Sequence, residues 1–113
     1  MIYHQFFSIR EDLIPDSIYL GFDILKERTF VKISDDIILN DMDFHHGLVA
    51  YWPHKDDARD GLRYDGVSLI KCEDILVFMR VMEKYKKRKG VLKLISICMN
   101  AMNNGEDIVH YGV

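Results

Sequence analysis

Residues 72–90 read CEDILVFMRVMEKYKKRKG, and this stretch decides the fold class. Ile75, Phe78, Met79, Met82 and Tyr85 recur at i, i+3, i+4, i+7 and i+10, which places them on one face of a helix. Glu73 and Asp74 suit the positive N-terminal end of that helix. Lys86 through Lys89 suit its negative C-terminal end, and Gly90 can close it. The pattern predicts a helix starting near Cys72–Asp74 and ending near Gly90.

Upstream the period changes to two. IYHQFFSI (2–9) is rich in β-favouring aromatics and predicts a strand. EDLIPDS is a turn broken by Pro15. SIYLGFDIL (17–25) alternates Ile18, Leu20, Phe22 and Ile24 against the other face, and KER turns it as a hairpin into TFVKI (29–33). DIIL (36–39), HGLVAYW (46–52) and LRYDGVSLI (62–70) read as further strands. PHKDDARDG, between Pro53 and Gly61, reads as a polar loop. Downstream, residues 91–105 repeat a helical spacing at Leu92, Ile95, Met99 and Met102, stopping at Asn104–Gly105; a strand over VLKLISI is the alternative. DIVHYGV reads as a tail or a short edge strand. The expectation is a single α+β domain over 1–113, with an antiparallel sheet from residues 1–70 covered by one or two C-terminal helices.

Composition sets the broad class. The chain has 113 residues, of which 49% are hydrophobic and 29% charged, and this fits a globular domain with its own core. Cys72 and Cys98 lie in apolar periodic segments and read as reduced thiols of a cytosolic protein. MIYHQFFSIRED has neither a basic start nor a long apolar run, and no apolar stretch is long enough for a membrane span, so a cytoplasmic protein without membrane contact is expected. Charge is unevenly placed. Residues 1–74 carry fifteen Asp/Glu against eight Lys/Arg, a net of −7; residues 75–113 carry three against seven, a net of +4. A chain that is acidic over two-thirds of its length repels phosphate, so no direct nucleic-acid partner is expected. The run Lys84, Lys86, Lys87, Arg88, Lys89 sits where a helix end favours positive charge anyway.

The stretch NDMDFHHGLVAYWPHKDDARDG (40–61) holds His45, His46, His54, the only tryptophan and a set of aspartates. On a strand His45 and His46 would point to opposite faces, and no zinc spacing such as CxxC or HExxH is present, so no metal site is expected. A calcium loop beginning at Asp56 fails: Ala58 falls at its third position and Val67 at its twelfth, where a bidentate glutamate belongs. Cys72 precedes a helix, where the dipole can activate a thiol, but reads more strongly as a small apolar residue capping the strand-to-helix turn. Ser8, Ser17, Ser34, Ser68 and Ser96 lie in no nucleophile-elbow context, and there is no phosphate-binding glycine pattern. Neither a catalytic residue nor a cofactor is therefore assigned. What remains is a recognition surface. Trp52, Tyr51 and Tyr64 flank a loop carrying Asp56, Asp57 and Asp60, with Asp41 and Asp43 nearby; aromatics anchor interfaces and charges steer partners to them.

A small acidic α+β chain without a catalytic signature resembles the immunity proteins of bacterial toxin systems, including those of contact-dependent growth inhibition. DGVSLIKCEDILVFMRVMEKY (65–85), a strand leading directly into a helix with an acidic start, is similar to what many small immunity domains contain. The resemblance implies tight binding to a cognate basic toxin domain, often a nuclease, by a monomer or weak homo-oligomer. The partner-binding residues expected on the chain's own chemistry are Asp41, Asp43, Trp52, Asp56, Asp57, Asp60 and Tyr64. The alternative is a small enzyme using His45, His46, His54 and the aspartates of 41–60, with or without a metal.

Overall fold

The computed structural model describes residues 2–17 and 30–113. Six strands form one antiparallel sheet among these residues: β1 (Tyr3–Arg10), β2 (Val31–Ser34), β3 (Val49–Tyr51), β4 (Ala58–Asp60), β5 (Val67–Ile70) and β6 (Glu106–Tyr111), in the order β2-β1-β6-β5-β3-β4. Three α-helices accompany it among the described residues: α1 (Asp35–Asn40), α2 (Ile75–Glu83) and α3 (Val91–Asn104). The fold is α+β. The strand and hairpin read over 17–25 and into 29–30 lie almost wholly outside the described residues; Ser17 itself bridges to His54.

Side-chain alternation assigns the two faces. Phe6 on β1, Ile33 on β2, Ile108 on β6 and Ile70 on β5 join Phe44, Ile75, Phe78, Met82, Leu94 and Cys98 in one core between sheet and helices. Phe7, Ile9, Val67, Leu69, Val109 and Tyr111 form a second cluster with Ile14, packed by Phe30 and Tyr51. Both faces of the sheet therefore carry buried apolar clusters.

Four local readings of the sequence are corrected. DIIL is not a strand: it lies in α1, where Asp35 and Asp36 occupy the favourable first turn and Ile37 and Ile38 are buried. PHKDDARDG is not all loop, because Ala58–Asp60 pairs with β3 as the far edge strand. DIVHYGV is neither tail nor edge. It supplies β6, paired with β1 on one side and β5 on the other, and Asp107 through Tyr111 are all buried. The sheet thus does not end at residue 70. Finally, α3 is a helix but is rotated by about one residue from the predicted face. Val91, Leu94, Cys98 and Ala101 are buried, whereas Leu92 and Met99 are 64% and 53% exposed. The small side chains of Cys98 and Ala101 let the helix axis approach the sheet more closely than Met99 and Met102 would. The face predicted for α2 is the one observed: Ile75, Phe78, Met79 and Met82 are buried, with Val81. A single 3-10 turn at Cys72–Asp74 leads into α2, and hydrogen-bonded turns carry the chain on to Arg88. Gly90 then connects α2 to α3 at φ +84, a conformation that favours glycine, and a Cβ there would lie 2.7 Å from the carbonyl oxygen of Lys32.

Candidate functional site

The hairpin β3–β4 builds the aromatic and acidic surface. Trp52 donates Nε1–H to the Gly61 carbonyl at 3.1 Å, and Arg59 and Arg63 lie over its ring at 5.0 and 5.6 Å. Arg59 Nε also donates to the Trp52 carbonyl. The indole is thus fixed by one hydrogen bond and two cation–π contacts. Its backbone N–H closes the hairpin onto the Asp57 carbonyl. Asp60 accepts the Gly47 N–H at 2.7 Å and faces His46 at 3.2 Å, and these contacts, the backbone one first, hold its carboxyl below the usual carboxylate range. Asp56 is exposed and Asp57 half-buried. Neither side chain makes a hydrogen bond or ion pair among the described residues.

Asp41 and Asp43 lie against the end of α2. Asp41 is only 12% exposed and is gripped by Lys84 at 2.6 Å, by the Tyr85 hydroxyl, and by the Asp43 N–H at 2.9 Å. Burial alone would raise its pKa; the bonds from Lys84 and Tyr85 outweigh that and lower it. Lys84 also reaches Asp43 at 2.9 Å, and the two carboxylates push its ammonium pKa upward. One turn further, Arg88 binds both oxygens of Asp36 at 2.9 and 3.0 Å. Part of the basic run is therefore paired internally with α1 and the turn after it. Sequence reasoning grouped Asp41 and Asp43 with Trp52 as a recognition surface; in the structure both carboxylates are engaged by Lys84, and Asp41 by Tyr85 as well.

Sequence reasoning missed a connected chain of buried polar groups. His4 on β1, His110 on β6 and Ser68 on β5 stand on the helix-facing side of three adjacent strands, and all three are completely buried. His4 Nδ1 lies 2.8 Å from His110 Nε2, and His110 Nδ1 lies 2.7 Å from Ser68 Oγ, which also accepts the Arg63 N–H. At the other end His4 Nε2 lies 2.8 Å from Asp35 Oδ1, which accepts a second hydrogen bond from the Tyr64 hydroxyl at 2.6 Å. Those two bonds, Tyr64 first, lower the Asp35 pKa, and the carboxylate in turn raises that of Tyr64. Burial lowers both histidine pKa values, that of His110 furthest. Tyr64 therefore serves this chain rather than standing beside Trp52 as a free anchor. Only the period-two spacing of His4 with Phe6, and of His110 with Ile108, hinted that either ring faces the core.

The remaining candidates are quiet. His45 bonds the Ile38 carbonyl through Nε2 at 2.8 Å, and among the described residues no three His, Cys, Asp or Glu side chains converge as a metal set would. Cys72 and Cys98 are both free thiols. Burial pushes the Cys98 thiol up to about 12, and it raises that of Cys72 with help from Asp107 and Glu73. Neither thiol is activated as a nucleophile.

The class these observations define is a small α+β globule with no helix, among the described residues, long and apolar enough to cross a membrane. Scans against protein-family models, curated proteins and solved structures return no match to this chain.

Proposed function

We propose that the chain is a small binding protein of the immunity type, which neutralises a cognate basic protein toxin by occupying its active cleft with an acidic surface. The observation that carries this reading is the β3–β4 hairpin. Asp56 and Asp57 present carboxylates with no partner among the described residues, next to an indole already fixed by Gly61, Arg59 and Arg63. A rigid aromatic loses little entropy on binding, and unpaired carboxylates steer a basic partner from a distance. The net −7 of residues 1–74 acts in the same direction. The enzyme alternative is less well supported. His45 and His46 are committed to Ile38 and Asp60, and the Ser68–His110–His4–Asp35 chain, which has hydrolase-like composition, is buried beyond the reach of a substrate.

The test uses the partner recovered with the tagged protein from the cells that make it, then purified and immobilised for surface plasmon resonance. The double variant Asp56→Lys, Asp57→Lys changes groups with no structural partner among the described residues, so the fold is retained. Association is expected to slow by about tenfold or more at low salt, with a smaller difference at high salt. Unchanged rate constants in both salts would remove this face from the interface. A protein that recovers no partner and turns over a small molecule would replace the binding reading with the enzyme one.

A further inference from the structure

The buried chain has one consistent arrangement of protons when both imidazoles are neutral. Asp35 is a carboxylate and only accepts, so His4 must carry its proton on Nε2. His4 Nδ1 is then bare and accepts from His110 Nε2–H. His110 Nδ1 is bare in turn and accepts the Ser68 hydroxyl, whose oxygen accepts the Arg63 N–H. Every donor points the same way along the chain, toward Asp35, and every polar atom is used.

An added proton cannot be placed without reversing that direction. If His4 takes it, His4 Nδ1–H donates to His110 Nε2, and the proton of His110 must move to Nδ1. If His110 takes it, both its nitrogens carry hydrogen. In either case His110 Nδ1 now carries a hydrogen facing Ser68 Oγ, and the Ser68 hydroxyl must give up its bond to that nitrogen and turn to another acceptor inside the core. A second proton is worse. Both nitrogens of the 2.8 Å His4–His110 contact would then carry hydrogen, on two buried cations stacked with ring centroids 5.0 Å apart.

We propose that His4, His110 and Ser68, terminated by Asp35, form an acid-sensitive switch at the centre of the sheet: one proton reverses the hydrogen bond between His110 and Ser68, and a second parts β1 from β6. The surroundings offer little to compensate. From α1, Asp35 is the single carboxylate in contact, with Asp36 beside it. From the loops come the Tyr64 ring, 5.3 Å from His4, and His45, whose charge would oppose protonation. β2 sets Ile33 opposite His4, and β1 sets Phe6 against the His110 ring at 5.0 Å. Asp107, the remaining acidic group of β6 in the core, alternates to the opposite face and bonds the Cys72 N–H.

The sign follows from proton counting. Burial lowers both histidine pKa values, so below about pH 6.5 the unfolded chain binds more protons than the folded one, and stability falls as pH falls. The fold persists at neutral pH and opens in mild acid.

Two measurements on the full chain test this. Nitrogen-15 NMR of the imidazoles at pH 7.5 is expected to show His4 and His110 neutral, each with its proton on Nε2. Urea unfolding between pH 7.5 and 5.0 is expected to show the unfolding constant rising by up to about a hundredfold per pH unit below the histidine range, the limit for two protons taken up. His110→Gln, which keeps a side-chain amide for Ser68 and His4, should reduce this to at most about tenfold per unit; the surface control His46→Gln should leave it unchanged. An Nδ1–H tautomer or a charged ring at pH 7.5 would overturn the proposal whether or not His110→Gln folds. So would an unfolding constant in the unaltered protein that rises by less than about tenfold per unit.

Discussion

Two polar networks are tied to the segment around α1, and they differ in almost every physical respect. Asp36 with Arg88, and Asp41 and Asp43 with Lys84, form a latch on the surface; Arg88 and Lys84 remain about half exposed, at 47% and 45%. Asp35 leads inward instead, to His4 and His110 at 0% exposure. The latch consists of formal ion pairs in a high effective dielectric, where salt and side-chain entropy reduce their worth. The inner chain has one formal charge, at its end, but its histidines and Ser68 have lost water and depend on their neighbours in the chain in exchange. In a low dielectric the missing partner costs more than the pair contributes. Adjacent aspartates, Asp35 and Asp36, thus enter opposite regimes because α1 turns one toward the sheet and the other toward α2.

That contrast can be broken by mutation. The largest effect is expected from Asp35→Ala, which leaves the buried His4 Nε2–H without an acceptor; urea unfolding at pH 7.5 should show a loss of about 2–3 kcal/mol, nearly independent of salt. Ser68→Ala should come next, at about 1–2 kcal/mol, because it strands His110 Nδ1 and the Arg63 N–H while leaving only a small void. Lys84→Met should be the mildest, at no more than about 1 kcal/mol and shrinking as sodium chloride is raised. If Lys84→Met proves costlier than Asp35→Ala, or if the cost of Asp35→Ala fades with salt, the distinction between latch and inner chain does not hold.

The same divide between local and remote partners explains which features were legible in the sequence. The α2 face could be read because Ile75, Phe78 and Met82 meet the sheet through the helix's own period, and the first strand because its β-favouring aromatics are a local signal. The role of DIVHYGV could not, since its two strand partners lie 42 to more than 100 residues away: Ser68 and Phe6 both pair with His110. The α3 face was misjudged because hydrophobicity favours Leu92 and Met99, whereas close packing on the sheet favours Cys98 and Ala101. In the candidate site, the fixing of Trp52 comes largely from neighbours in its own hairpin and was within reach of sequence reasoning. The commitment of Asp41 to Tyr85 and of Tyr64 to Asp35 depends on packing between distant segments, and no spacing reports it.

The position of β6 also sets an order of events during synthesis. β1 leaves the ribosome long before β6, the strand it pairs with along most of its length, and His4 and His110 are 106 residues apart. At bacterial and eukaryotic elongation rates that interval is roughly 5–20 s. Throughout it Phe6, Phe7 and Ile9 lack the neighbour that covers them, and β5 lacks the strand that links it to β1. The nascent chain can form α2 and the β3–β4 hairpin as it emerges, but the sheet cannot join its two halves until residue 111 is free. Until β6 is free of the ribosome, β1 is a natural client for a holding chaperone.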